Sequence, residues 1–131
     1  MNRQIKFRVW NKPAKCFIQD INNEIATFTL LTLSDYLKEY SISNIDHLIF
    51  QQYTGLNDKN GKEIFEDDIV EWGSLKYLVE WNDISYKWQG RCPNYHLYHH
   101  PTTENFRDLM GGVVIGNIFE NLELLKYEPG A

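Results

Sequence analysis

The sequence predicts a mainly β (α+β) fold: a bent antiparallel sheet or a partly open small β-barrel, with one or two short helices. Three observations point there. Aromatic residues make up 15% of the 131 residues, with eight Tyr and four Trp against four Pro, a composition that suits packed strands. Short runs of alternating apolar and polar side chains recur along the chain. Gly, Asn and Asp cluster between those runs, where tight turns require them. With 43% hydrophobic residues the chain has material for one modest core, so a single domain over 1–131 is expected. Any lobed division would separate residues 1–50 from a β lobe over 51–131.

Taken in order, Ile5, Phe7 and Val9 alternate with Lys6, Arg8 and Trp10, the period of a half-buried strand with Lys6 and Arg8 on its solvent side. NKPAK turns the chain and CFI completes a hairpin. The segment Ile21 to Leu33 is rich in β-branched and apolar residues and reads as strand. Ser34 then offers an N-cap, Asp35 a favourable first-turn charge, and Leu33, Tyr36, Leu37 and Tyr40 a helical spacing, so a short helix spans Ser34 to Tyr40. HLIFQQYTGL is extended, and Asn57, Asp58, Asn60 and Gly61 form the turn that follows it. From Ile69 to Arg91 the chain reads as a three-strand meander, turning at Gly73-Ser74 and Asn82-Asp83. Thr102 or Thr103 caps a second helix over TENFRDLM, which Gly111-Gly112 stops. In VVIGNIFENLELL, the pair Gly116-Asn117 interrupts apolar runs and marks a bulge or a close backbone approach.

Composition excludes several classes of function. The longest apolar candidate, IATFTLLTL, falls short of the roughly 18 residues a membrane span needs. The N-terminus lacks the pattern of a signal peptide, so a cytoplasmic protein is expected. Cys16 and Cys92 stand far apart and outside any CxxC pattern, which argues for two buried thiols rather than a disulfide or a zinc site. Net charge is -5, yet the first fifteen residues carry Arg3, Lys6, Arg8, Lys12 and Lys15 and no acid. An acidic body is a poor partner for phosphate backbones, leaving nucleic acid only a local contact through that basic strand.

The acids Asp58, Glu63, Glu66, Asp67, Asp68 and Glu71 crowd one stretch, DKNGKEIFEDDIVEW. A calcium loop starting at Asp58 fails, because Lys62 falls on the fifth ligand position and Gly61 comes too early. The expectation is a hydrated bend between strands. His96, His99 and His100 form a second cluster, with His96 and His100 at metalloprotease spacing. Pro93 and Pro101 bracket them, and Leu97 stands where that motif has its acid, so imidazoles facing water from a loop are the preferred reading. No metal or cofactor is demanded by any spacing. Trp72, Trp81 and Trp88 are expected to pack on a sheet face or to leave an exposed aromatic platform.

Three stretches carry a resemblance: the opening IKFRVWNK, the central QYTGLNDKNGKEIFEDDIVEW and the closing VVIGNIFENLELL, in that order and spanning nearly the whole chain. Together they resemble the signature blocks of the YopX family of small phage and prophage proteins. The central block is the most specific, since YTGL, DKNG and DIV stand at fixed spacing. The family pattern commonly has Gly where this chain has Asp67. The resemblance implies a mostly β fold with some helix and a phage or prophage origin, and it supplies no catalytic residue to carry over.

Tyr53, Thr54, Gly55 and Asn117 are the polar or special residues of those blocks, and with Trp72 and Trp88 they form the candidate binding set. The expected function is a non-catalytic binding module acting on a host or phage protein in the bacterial cytoplasm, with self-association compatible. One alternative is a metal-assisted hydrolase built from His96 and His100 with Asp67 and Asp68. Another is nucleic-acid contact through the N-terminal strand.

Overall fold

A computed structural model describes residues 5–40, 45–93 and 102–125, with backbone alone over 102–105. It is mostly β, with all named strand pairs antiparallel and one of its sheets curled into a half-barrel. The chain divides into two compact units, Met1–Gly55 and Leu56–Ala131. No helix among the described residues is long and apolar enough to cross a membrane.

In the first unit, β1 (Phe7–Asn11) pairs with β2 (Cys16–Phe17) as the expected hairpin and with β3 (Leu48–Asn57) on its other side. The turn is held by Asn11, whose Oδ1 accepts the Ala14 amide, and by Lys15 in the left-handed region at φ 54°. Val9, Phe28, Leu33 and Leu48 form the core, flanked by Ile18, Tyr36, Leu37 and Phe50.

Four expectations are corrected here. The helix α1 spans Leu30–Glu39, starting before Ser34. Its N-cap is Thr29, which exchanges bonds with Thr32: the Thr32 amide donates to Thr29 Oγ1 and the Thr29 amide donates to Thr32 Oγ1. That is a capping box in which threonine does the work of the usual Glu or Gln. The strand read over Ile21 to Leu33 is therefore mostly absent, reduced to isolated bridges at Ile25 and Phe28. Arg8 is not on a solvent face. It is 5% exposed, its Nε donates to Gln51 Oε1, and its guanidinium lies 4.6 Å from the centroid of Phe17. Cys16 is exposed, and Cys92 alone is buried.

In the second unit, β5 (Asp68–Trp72), β6 (Leu75–Asn82) and β7 (Lys87–Cys92) form the expected meander, flanked by β8 (Thr102–Asn105) and β9 (Val113–Asn117) in the order β8-β7-β6-β5-β9. Alternation sends Val70, Tyr77, Val79, Cys92 and Val114 to one face, where Ile64 of β4 (Glu63–Phe65), Phe106 and Leu109 cover them. Ile69 and Leu78 face the other way and pack against Leu125. Residues Thr102–Asn105 are strand rather than the start of a helix, and TENFRDLM contributes only a 3₁₀ turn over Phe106–Gly111. The predicted irregularity at Gly116 is present. Ile69 pairs with Gly116 and Val70 with Val114, which leaves Ile115 as the extra residue of a bulge.

Candidate functional site

The acidic stretch folds into structure rather than into a hydrated bend, which overturns the expectation for Asp58 and Asp68. Asp58 is buried, with Oδ1 accepting the amides of Asn60 at 2.8 Å and Lys62 at 2.9 Å. Its Oδ2 accepts the amide of Val114 at 2.9 Å, from the first residues of β9. The Lys59 amide also donates to the Gly112 carbonyl. The DKNG turn thus lies along the outer side of β9 and occupies backbone groups that an edge strand would otherwise leave open. Burial pushes the Asp58 carboxyl up, but the three amide donors and the Lys62 charge outweigh it and hold the group below its ordinary value.

Asp68 is 1% exposed, and its Oδ2 accepts the Phe65 amide at 2.8 Å, closing the turn between β4 and β5. Asp67 is half-buried and sits at φ 67°. Its amide donates to the Val79 carbonyl and its own carbonyl accepts from Ile118, so it ties β6 to the segment after β9. Left-handed backbone costs an L-residue roughly 1–2 kcal/mol, less for Asp than for most. Asp67→Gly therefore raises the unfolding free energy by about 0.5 kcal/mol once the glycine entropy cost is set against the relieved strain. Asp67→Val lowers it by about 1–2 kcal/mol, and urea midpoints measure both changes.

The candidate binding residues fall in separate places. Tyr53 is buried on β3, with the Lys6 ammonium 4.9 Å from its ring centroid, and Thr54 beside it is buried as well. Gly55 is at φ 89° with open space where a side chain would project, so conformation rather than close approach explains it. Asn117 is a turn-former: its Oδ1 accepts the amides of Phe119 and Glu120, and its Nδ2 donates to Glu120 Oε1. A Cβ on the neighbouring Gly116 would collide with the Asn121 side chain, which accepts the Asn117 amide. Trp72 pairs with Leu75 and Trp88 with Trp81. That places the two candidates at opposite ends of β6, about 20 Å apart at a strand's rise per residue, so they do not form one platform.

Trp72 is itself 38% exposed, and a separate exposed aromatic group lies at the β6–β7 hairpin end. Tyr77, Val79 and Trp81 share one face of β6, and their exposure climbs from 1% and 0% to 40% at Trp81. The core face of the sheet thus runs out beyond its cover. Trp81 meets Trp88 edge-on at 5.3 Å between ring centroids, and the indole Nε1 of Trp88 is buried with no acceptor among the described residues. The turn adds Ile84 at 91% and Tyr86 at 77% exposure. It is well defined: Asn82 Oδ1 accepts the amides of Ile84 and Ser85, and Tyr86 takes φ 54°.

The opposite face of the same hairpin is polar and tied together. Asn82 Nδ2 donates to Gln89 Oε1, Gln89 Nε2 donates to Glu80 Oε1, and Arg91 Nε donates to that same oxygen at 2.9 Å. Ile84 and Tyr86 were not among the residues singled out from sequence. The available signal was two large apolar side chains inside a turn otherwise made of Asn, Asp and Ser.

A family model for YopX protein matches residues 6–126. The chain belongs to the YopX family. The crystal structure of protein EF1440 from Enterococcus faecalis is similar at a TM-score of 0.55, with 23% identity over 95% of this chain and 100% of that one. At that identity the likeness is one of fold. No curated protein sequence matches the chain.

The three YopX blocks meet through backbone pairing. The first block meets the start of the central one, where Phe7 pairs with Gln52 and the Tyr53 amide donates to the Lys6 carbonyl, and the DKNG turn and the Asp67-Asp68 turn each bond to the closing block. His96, His99 and His100 lie outside the described residues, as does Arg3. Among the described residues no group of three or more His, Cys, Asp or Glu gathers to hold a metal. With Asp68 given to the Phe65 amide and Arg8 buried, neither the hydrolase nor the basic-strand reading keeps its full set of surface groups.

Proposed function

We propose that this YopX-family chain is a phage- or prophage-encoded interaction module that binds a host or phage protein in the bacterial cytoplasm through the apolar face of the β6–β7 hairpin. The observation that carries this reading is the uncovered end of the sheet's core face at Trp81, next to a turn that exposes Ile84 and Tyr86 to water. Exposed aromatic anchors on a rigid frame are the usual centre of protein–protein contacts. The hydrogen-bonded network behind them holds the hairpin in one shape before binding, which reduces the ordering cost of association. By contrast, the carboxylates and the amide that the signature blocks offer for chemistry are engaged in turns.

A photo-crosslinking residue placed at Ser85, in cells carrying the source phage element, is expected to give a discrete adduct that the same residue at Ser74 does not give. The double change Ile84→Ser/Tyr86→Asn keeps the turn conformation accessible, because Asn tolerates left-handed backbone. It should weaken the association about tenfold or more. An adduct of equal yield from Ser74, or one indifferent to the double change, rejects the hairpin as the binding surface.

A further inference from the structure

Strand β9 stands at the end of its sheet, and among the described residues no strand but β5 pairs with it. Edge strands are kept from pairing with other chains by charge, proline, bulges or a cover. Between Asp108 and Glu120 the sequence holds no charged residue and no proline. The far end of β9 is closed by the bulge at Ile115 and by Asn121: the Asn117 amide donates to Asn121 Oδ1, and the Asn121 amide donates to the Asn117 carbonyl. The near end is closed by the DKNG turn. There the Lys59 amide donates to the Gly112 carbonyl, and Asp58 Oδ2 accepts the Val114 amide. The turn thus offers one donor and one acceptor to backbone groups two residues apart, as a neighbouring antiparallel strand would.

We propose that the DKNG turn guards a latent self-pairing edge, and that with the turn withdrawn β9 pairs antiparallel with β9 of a second copy about a two-fold axis at Val113. Three physical arguments select this occupant. The edge is self-complementary: in that register the Val114 amide of each copy donates to the Gly112 carbonyl of the other, which satisfies the same two groups that the turn now occupies. The Val114 amide points away from β5, so the backbone groups of Val113 point toward it and Val113 meets its counterpart as a non-hydrogen-bonded pair. That is the closest approach two opposed side chains make in a sheet, and it favours β-branched partners. Finally, nothing on β9 carries a charge, so no like-charge contact along the strand opposes a copy.

The double change Asp58→Asn/Lys59→Pro opens the guard without dismantling the turn. Lys59→Pro removes the N–H that holds the Gly112 carbonyl. In Asp58→Asn, a carboxamide that keeps its oxygen on the Asn60 and Lys62 amides turns an N–H toward the Val114 amide, donor against donor. Asn and Pro are favoured at the first two positions of a turn such as this one, which the Gly61 amide closes onto the Asp58 carbonyl. Net charge is unchanged, so a gain in self-association does not come from weaker overall repulsion. In sedimentation over rising concentration the double variant, its folding verified by thermal melt, is expected to dimerise at least about tenfold more tightly than the parent. Lys59→Pro alone, which keeps the buried carboxylate, should move the same equilibrium by less, and it supplies the reading if the double variant does not fold. Adding Val113→Lys should return either variant to the parent's behaviour. The two introduced ammonium groups would oppose each other across the axis, while within one copy each faces the exposed Glu71. Self-association of the folded variants no tighter than the parent's, or a dimer that Val113→Lys leaves intact, overturns the proposal.

Discussion

Gly112→Ala is expected to lower the unfolding free energy by about 3 kcal/mol, the upper part of the usual range for overpacking. A Cβ at Gly112 would stand 2.6 Å from the Glu71 carbonyl oxygen and 2.8 Å from Val70 Cγ1. The first of these is backbone in a paired strand, which cannot rotate aside as a side-chain tip would. Glu71 is the partner of Val113, so relief would require β9 to move away from β5 at the point where the two strands begin to pair. The Gly112 carbonyl also accepts the Lys59 amide, so displacement would strain the DKNG turn as well. The neighbouring glycine supplies the control. A Cβ at Gly111 would meet only Trp72 Nε1 at 3.5 Å and Trp72 Cδ1 at 3.8 Å, ordinary contact distances. Gly111→Ala should therefore leave stability within about 1 kcal/mol of the parent, since alanine also restricts the unfolded chain. Equilibrium urea unfolding of the two variants side by side separates a local clash from a general intolerance of the Gly-Gly pair.

Asp58→Ala is the second large effect, expected to cost about 2–4 kcal/mol. It removes the acceptor of three backbone amides at once. The Asn60 and Lys62 amides lie in a turn that water can reach, but the Val114 amide is buried, and an unsatisfied buried donor alone costs about 1–3 kcal/mol. The carboxylate also leaves a pH signature. Its folded-state pKa is depressed below the unfolded value, so its contribution is fully present above the ordinary aspartate range, roughly pH 4. That contribution is lost as pH falls through the folded value. Asp58→Asn keeps the size and one acceptor oxygen but abolishes this titration. The stability difference between parent and Asp58→Asn should therefore be largest near neutrality and shrink in acid. A difference that stays constant from pH 7 to below pH 3 would mean that the carboxylate is not the titrating group.

Local chemistry was readable wherever one short segment decides the outcome. Asn57 to Gly61 announces a turn because its residues tolerate the required backbone angles, and Gly61 indeed sits at φ 82°. The hairpin β1–β2, the meander β5–β6–β7 and the bulge at Gly116 were legible for the same reason: alternation and turn residues act over a few positions. The start of α1 was misread even though its signal is local. Thr29 and Thr32 form the capping box, but a run of Thr, Phe and Leu has strong β propensity, and that propensity hid the cap.

Burial of polar side chains was not legible, because it depends on partners far along the chain. Asp58 is covered by Val114, 56 positions later, and Arg8 by Gln51, 43 positions later. Nothing within either segment distinguishes a carboxylate or guanidinium that will be enclosed from one that will face water. The hairpin surface was obscured in the opposite sense. Trp72, Trp81 and Trp88 look equivalent in sequence, yet the register of β6 puts Trp81 with Trp88 at one end and Trp72 at the other.

By itself the sequence determined the family, the mostly β class, the order of nearly all the strands and the positions of their turns, since each follows from side-chain period and backbone preference within a few residues. Only the tertiary structure decided that Asp58 and Asp68 serve the fold, and that Trp81, Ile84 and Tyr86 stay exposed to water. Exposure depends on where the cover over a sheet ends, and that is set by strand register and by segments far apart in the chain.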